Sequence, residues 1–559
     1  MKALKKMMFG FACVCLLAFG ISGRAEAKSG TCGDNLTWNL DETTHKLTIS
    51  GTGKMTDYSA TGKGQAPWIN KNKTINVDGN KVSVDMFIAS VEVGKGVTHI
   101  GSYAFDKCVA LGSVSLPDGL VSIGDSAFSN CARLGSIKLP DSVVSIGSSS
   151  FKSCQSLADL TISKSLTSIG NKAFSGCVSL GNVTFPAGLG YIGSSAFEGC
   201  SSLKAAVITG PLANLGGSAF KDCTGLTGMM LPSSIRYLNM STFEGCTGLK
   251  SVKFVGNYLW NIGAKAFYGC TALSDIELPG SLKDIDAGAF VGCASLKEIT
   301  IPGSVKTIKA KTFVQCGLRT MTLGEGVKTI ESGAVVGCPG LGTVIIPKSV
   351  KTMRAGAFTQ CGLSKVKYVG KKTDWKKIKG YEQAFVGVNP KIEYNIPSRV
   401  KSIKLSDKSV KLAKKESVQL ILKVSPVYSP KEVTWSTSDF KKVNVNTNGY
   451  VTAYKPGKVT ITAKCGGKKA TCKVTVYAPV EKVKFTKESV SVRVGRKVTL
   501  STKITPKDAT EKKLTFTSDK PEVATVSSKG VVKGVSKGTA TITVTAPSGK
   551  KATCEVKVS

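Results

Sequence analysis

Twelve cysteines between Cys108 and Cys361 recur at intervals of 22 to 24 residues, and nine of the eleven gaps are 23. A period of that length marks one supersecondary unit copied along the chain, the signature of a solenoid. The copy from Leu134 to Ser156, LGSIKLPDSVVSIGSSSFKSCQS, shows how each unit must fold. Leu134, Ile137 and Leu139 have the spacing of a short strand. Pro140 ends it because it has no N–H for a ladder. Val143 and Ile146 begin a second apolar edge, Gly147 permits a turn, and Phe151 and Cys154, three apart, fall on one side of a short helical or 3-10 turn. All these apolar side chains point into one narrow interior. One copy alone cannot bury them, so the fold depends on stacking, and stability becomes a sum of nearest-neighbour terms.

The pattern Leu-x-x-Val-x-Leu-Pro, then Ile-Gly-x-x-Ala-Phe-x-x-Cys, resembles the BspA-type leucine-rich repeat of bacterial surface proteins. Leu180, Val183, Phe185, Pro186, Ile192, Gly193, Ala196, Phe197 and Cys200 make a near-complete copy. Leu273, Ile276, Leu278, Pro279, Ile285, Ala289, Phe290 and Cys293 make another. Unlike the more familiar leucine-rich repeat, the unit has no Asn or Cys shortly after its strand. Pro takes that region and the Cys comes late. The resemblance implies a secreted or surface-displayed protein that binds other macromolecules, in several members host matrix proteins. Equivalent cysteines of neighbouring repeats carry parallel Cβ vectors, unsuited to the Cβ approach a disulfide needs. A buried column of free thiols is expected, each packing as a small hydrophobe.

Residues 28–87 read differently. Leu36, Trp38 and Leu40, then Leu47 and Ile49, alternate around a turn, as expected of a β cap over the first repeat, with Trp68 as part of it. The solenoid is expected over 88–396, its last strand at Leu363, Val366 and Tyr368, and its open edge closed by Trp375, Ile378 and Phe385. From 397 the pattern becomes short alternating strands between turns, the mark of a β-sandwich. Two copies are expected, 397–478 and 479–559. Trp435-Ser436 aligns with Phe516-Thr517, Gly449-Tyr450-Val451 with Gly530-Val531-Val532, and Thr471-Cys472 with Thr553-Cys554. These copies resemble bacterial immunoglobulin-like domains of group 2, which implies stalks, some of which bind wall or host ligands. Cys465 has no counterpart in the second copy, so free thiols are expected here too. The predicted fold class is mainly β with short helical or 3-10 turns, a leucine-rich-repeat solenoid followed by two immunoglobulin-like sandwiches.

Residues 1–27 read as a secretion signal: Lys2, Lys5 and Lys6 precede an apolar run from about Phe9 to Ile21, then Ala25-Glu26-Ala27 offers a small-x-small cleavage site. The run is shorter than the roughly 20 residues that span a bilayer, and no transmembrane segment is expected in the mature chain. The chain ends without a wall-sorting tail, so non-covalent association with the cell surface is the expectation. Net charge is +39, and residues 398–559 contribute 34 basic against 11 acidic side chains. That field favours anionic cell-wall polymer or a host polyanion. Nucleic acid is not expected, because the lysines are dispersed on strands and lack the interleaved aromatics of a base-stacking groove.

Chemistry has little foothold. The two histidines, His45 and His99, lack the spacing of metal ligands or of a nucleophile–base pair, and Asp275, Glu277 and Glu298 fall at outward strand positions. No catalytic residue, metal site or cofactor is assigned, and the chain is expected not to be an enzyme. The candidate contact patch lies mid-solenoid: Val207 and Met230 face outward, and Tyr237, Tyr258 and Trp260 sit in less regular repeats. The alternative is that these five patch packing where the repeat degenerates. Two functions follow. In one, a secreted or cell-surface adhesion protein recognises an extracellular protein or glycan through its solenoid, with the basic sandwiches as spacer or wall-retention module. In the other, a structural envelope protein is held by charge on wall polymers, with no host ligand.

Overall fold

The computed structural model describes residues 28–69, 74–77, 80–83, 88–396, 400–425 and 433–559. The leader read at 1–27 lies outside them. Contacts divide the chain into two compact units, Met1–Leu180 and Gly181–Ser559, and among the described residues the regular structure of each is almost all strand, joined by turns.

In the first unit, Lys28–Gly33, Leu36–Asp41 and Lys46–Gly51 form an antiparallel meander. The third strand then pairs in parallel with Ser90–Val93, and that one with Ser113–Ser115. The meander thus becomes the first rungs of the repeat ladder. Leu36, Trp38 and Leu40 alternate inward as their period of two requires. Trp68 is buried, stacks on Phe105 at 5.5 Å, and donates its indole N–H to the Ala104 carbonyl at 2.8 Å. Behind it, Phe105, Phe128, Phe151 and Phe174 stack face to face, with centroids 5.1 to 5.3 Å apart.

Each repeat has a first strand such as Ser136–Lys138 and a two-residue second strand such as Ser145–Ile146, both in parallel register with their neighbours. The third edge, where the sequence suggests a short helical turn, is more extended. Ser149, Phe151 and Ser153 donate their N–H groups to Asn171, Ala173 and Ser175 of the next repeat, while Lys152 and Cys154 close three-residue turns onto Ser149 and Phe151. That alternation needs left-handed backbone at Ser149 (φ 55) and Ser153 (φ 60). Gly176, Gly199 and Gly245 take the same place in other repeats, with φ between 74 and 77. Regular helix among the described residues is confined to Gly62–Gly64, Lys372–Trp375 and Tyr381–Gln383.

The second unit is built of rungs of the same kind as far as Lys365–Tyr368, and Lys391–Glu393 pairs beside that strand in parallel. Its phenylalanine stack runs Phe197, Phe220, Phe243, Phe267, Phe290 and Phe313 at 5.2 to 5.9 Å. Phe385 covers Phe358 at 5.5 Å, and buried Trp375 stacks on Phe385. Residues 400–478 then form strands in which Ser409–Ala413, Lys468–Tyr477, Gly457–Cys465 and Val433–Thr437 make a four-stranded sheet, opposed by three strands, Ser417–Gln419, Tyr450–Ala453 and Val443–Val445. Residues 479–559 repeat that order strand for strand. Cys472 and Cys554 hold equivalent places in the two cores. Cys465 belongs to a separate cluster with Val400 and Ile403, so it does not oppose Cys472.

Candidate functional site

The residue two before the buried apolar side chain of each second strand forms the corner where the repeat turns into that strand. Its N–H donates to the carbonyl of its counterpart one repeat back: Trp260 to Arg236 at 2.7 Å, Lys283 to Trp260 at 2.8 Å, Lys328 to Lys306 at 2.8 Å and Lys351 to Lys328 at 2.8 Å; Lys379, in the closing segment before Tyr381–Gln383, donates to Lys351 at 3.0 Å. The corner therefore carries two runs of side chains at the strand spacing of about 4.8 Å, Arg236 to Lys283 and Lys306 onward, with the ladder of second strands interrupted between them. In the first repeats of this unit its members are Gly190 and Ala213, also joined by a backbone bond. From Arg236 onward every member but Trp260 is cationic. The lysines are exposed and Arg236 is half-buried. Among the described residues, none of these cations has a carboxylate within 4.0 Å.

The column begins at an aromatic cluster. Tyr237 meets Trp260 edge to face at 5.9 Å. The Arg236 guanidinium lies 4.6 Å from the Tyr258 ring centre and 5.7 Å from that of Trp260, and the Lys283 ammonium is 5.1 Å from Trp260. These are cation–π distances. Beside the rings the ladder of second strands is interrupted between Asn214–Leu215 and Tyr237–Leu238. Asn239 stands where Gly216 and Gly263 stand in the adjacent repeats, and its side-chain amide donates to the Leu215 carbonyl at 2.6 Å. The interruption leaves a concavity of about 260 Å³ lined by Ala213, Asn214, Leu215, Arg236, Tyr237 and Asn239.

The five residues singled out from sequence divide between two faces. Val207 and Met230 lie on the first-strand sheet, 48% and 59% exposed, on neighbouring rungs bridged at Ala205 and Gly228. Tyr237, Tyr258 and Trp260, 53%, 41% and 40% exposed, come together at the corner with Arg236. The cationic column was not part of the sequence reading. Its signal is the recurrence of Leu-Lys-Asp-Ile, Val-Lys-Thr-Ile, Val-Lys-Thr-Ile and Val-Lys-Thr-Met at 282–285, 305–308, 327–330 and 350–353. Lysine counts by domain conceal it, and only alignment by repeat position brings it out.

A second basic surface lies on the sandwiches. Lys404 is directly opposite Lys423, and Lys484, in the equivalent strand of the second copy, is directly opposite Lys503. All four are exposed. Like charges so placed repel.

His99 has company that the sequence did not reveal. Its Nδ1 lies 2.8 Å from Ser122 Oγ, and its Nε2 lies 3.4 Å from Asp57 Oδ1. Asp57 chiefly accepts the Ser102 backbone N–H at 2.7 Å, which holds its carboxyl below the usual range. The N–H groups flanking Ser122, those of Val121 and Gly124, donate to Thr98 and Ile100 and are not free to receive an oxyanion. The trio therefore works as a polar tie between rungs. His45 occupies a turn at φ 55 in the cap. Asp275, Glu277 and Glu298 are exposed. Among the described residues no group of three His, Cys, Asp or Glu side chains could hold a metal, and no helix is long and apolar enough to cross a membrane.

The cysteines among the described residues are buried, and none of them is joined in a disulfide. In the column the thiols are directed at main-chain carbonyls one repeat back, as Cys154 at Phe128 and Cys246 at Phe220, 3.1 and 2.9 Å. Burial pushes the thiols of Cys246 and Cys293 up to about 12.

Comparison with known proteins gives matches along most of the chain. The BspA type leucine rich repeat region matches in six copies over residues 84–204, 144–260 and 260–385, and the bacterial Ig-like domain (group 2) matches at 399–474 and 479–556. An uncharacterized protein of Clostridium acetobutylicum is 32% identical over 163 residues, 28% of this chain and 17% of that one. Kappa-carrageenase of Pseudoalteromonas carrageenovora is 34% identical over 133 residues, 22% of this chain and 33% of that one. The chain thus spans a third or less of the length of these two relatives. Among solved structures, a leucine-rich repeat protein from Bacteroides ovatus is 24% identical, covering 65% of this chain and 98% of that one with a TM-score of 0.42.

Proposed function

Because the chain belongs to the BspA type leucine-rich-repeat family and carries two bacterial Ig-like domains of group 2, we propose that it is a secreted or surface-associated bacterial binding protein. Its solenoid recognises an extracellular protein or glycan. The observation that carries this reading is the corner cluster of Tyr237, Tyr258, Trp260 and Arg236. Exposed aromatics and Arg next to a concavity are what binding surfaces concentrate, and these rings are not spent on filling a core. The leader, the basic sandwiches and the family support a place outside the cell. The test is adhesion of the purified full chain to bacterial wall and host-matrix preparations. The wild type should adhere, and Trp260→Ser should weaken adhesion without lowering Tm. Undiminished adhesion of Trp260→Ser would remove the cluster from the function.

The opposed lysines favour a second reading, in which the sandwiches hold the protein on anionic wall polymer and the solenoid serves the envelope structurally. Lys404 with Lys423 and Lys484 with Lys503 cost the fold free energy, a cost that a polyanion would offset. Under this reading adhesion to wall is lost at high salt and is indifferent to Trp260→Ser.

A further inference from the structure

We propose that the solenoid corner from Trp260 to Lys351 is a binding track for a linear acidic polysaccharide, a chain of pyranose rings bearing carboxylate or sulfate. The proposal rests on the binding reading above and names its ligand class.

Three observations point the same way. First, Lys283, Lys306, Lys328 and Lys351 take the same corner position in four successive repeats, exposed and without carboxylate partners among the described residues; backbone bonds join Lys306, Lys328 and Lys351, and the ladder of second strands is interrupted between Lys283 and Lys306. Ammonium groups on adjacent rungs repel one another, and nothing in the stacking of the repeat requires Lys there, since Gly190 and Ala213 fill the same place. The arrangement suits a ligand carrying a regular row of negative charge. Alternate rungs recur at about 9.5 Å, near the rise of one disaccharide in an extended polysaccharide, so an acidic sugar in every second position meets a lysine each time.

Second, the column is flanked by hydroxyls. Thr307, Thr329 and Thr352 follow Lys306, Lys328 and Lys351 in the second strands, half-buried with their backbones in the ladder, while the residue after Lys283 is Asp284, whose carboxylate lies 3.6 Å from the Lys309 ammonium. A polysaccharide offers hydroxyls to such a row, whereas a bare phosphate chain offers only charge.

Third, the track begins at rings. Trp260 is flanked by the cations of Arg236 and Lys283, and Asn214 and Asn239 line the concavity beside Tyr237. An indole face takes the C–H face of a pyranose, amides take its hydroxyls, and a guanidinium takes a carboxylate or sulfate in a two-pronged contact. A nucleic acid would need rings interleaved along the track. Here they cluster at one end.

The experiment uses the full chain and fluorescent oligosaccharides of heparin at 150 mM salt, with neutral dextran, inorganic polyphosphate and oligo-dT in parallel. Wild type should bind heparin and ignore dextran. Trp260→Ala, which keeps every charge, should weaken heparin binding about tenfold while leaving polyphosphate binding unchanged. Lys283→Gln with Lys328→Gln should weaken it at least as much. Lys529→Gln with Lys550→Gln, which removes the same charge from turns of the second sandwich, should change it less than twofold. Heparin binding indifferent to Trp260→Ala, equal losses from the corner and sandwich pairs, or tighter binding of oligo-dT than of heparin would each overturn the track. If wild type ignores heparin while Trp260→Ser still loses wall or matrix adhesion, the binding reading stands and the ligand class falls.

Discussion

The Cys223 thiol donates to the carbonyl oxygen of Phe197, 3.0 Å away and one repeat earlier, and the same oxygen accepts the Cys200 N–H at 3.2 Å. Both lone pairs of a buried carbonyl are thereby used, one within the repeat and one between repeats. This explains why a small apolar side chain with a weak donor recurs where Val would also fill the space. Cys223→Ala removes the donor and leaves a small void, and should cost about 1–2 kcal/mol in urea denaturation. Cys223→Ser keeps a donor and should cost less. Equal losses from the two variants would mean the bond contributes nothing and volume alone decides.

The same burial makes the fold sensitive to alkali. Cys246 and Cys293 are raised from 9.0 to about 12 by burial. Between those values the unfolded chain has lost the proton and the folded chain holds it, so the unfolded state binds fewer protons and stability falls as pH rises. The contribution is fully present below about pH 9 and fades through pH 12, by up to about 1.4 kcal/mol per pH unit for each such thiol. Tm should therefore be flat near neutrality and drop steeply above pH 9. Cys246→Ala with Cys293→Ala, less stable at pH 7, should show a shallower drop. An alkaline slope identical to that of wild type would contradict the assignment to these thiols.

Trp68 closes one end of the phenylalanine stack. Truncating it uncovers Phe105 and leaves the Ala104 carbonyl without its donor. Trp68→Ala should cost about 3–5 kcal/mol. Because a solenoid's stability is a chain of neighbour terms, hydrogen exchange should quicken first around residues 90–130. Uniform quickening along residues 88–177 would show that the cap acts on the array as a whole.

The period and the character of each apolar position were legible because a solenoid writes its core once per repeat, and Phe151 and Cys154 announce an interior that every copy shares. Trp68 and Trp375 were readable as caps for the same reason, since large apolar rings outside the period must cover something. The third edge was harder. Whether Ser149 and Ser153 continue a helical turn or take left-handed backbone depends on acceptors supplied by the next repeat, which local spacing does not contain. The five residues of the contact patch divide between two faces. Outward-facing Met230 and Trp260 look alike along the sequence, yet Met230 lies on a first strand and Trp260 at the corner before a second strand, and the cations that complete the Trp260 cluster come from repeats on both sides. His99 is a similar case, because its partners Ser122 and Asp57 are remote in sequence and meet it only through the parallel register.

The two sandwiches differ at one glycine in a way that ranks their tolerance. Gly449 and Gly530 both have positive φ, 76 and 73, where an L side chain costs roughly 1–2 kcal/mol. A Cβ at Gly449 would lie 2.5 Å from the Trp435 ring and 2.4 Å from the Leu420 carbonyl, whereas at Gly530 it would lie 3.1 Å from both Phe516 and the Leu500 carbonyl. Gly449→Ala should therefore destabilise its sandwich more than Gly530→Ala does, because the larger indole and the carbonyl leave no room to yield. Peptide-resolved hydrogen exchange over 433–477 and 515–558 in the full chain gives the comparison, and the reverse order would mean that Trp435 shifts freely.

Lys484 and Lys503 let stability and retention be set against each other. They are directly opposed on antiparallel strands, exposed, and without ion-pair partners among the described residues. Removing both charges relieves a repulsion of about 0.2–1 kcal/mol. Lys484→Gln with Lys503→Gln should therefore raise the melting temperature of the second sandwich at 10 mM salt, with the gain fading at 0.5 M as screening shortens the reach of the charges. If the sandwiches hold the protein on wall polymer, the same variant should elute from purified wall at lower salt than wild type. A pair kept for retention predicts both changes together, a more stable domain that binds wall less well. A stability gain with unaltered elution would leave the lysines a solubilising role and shift retention to the corner of the solenoid, where Trp260→Ser would then be the variant that releases the protein.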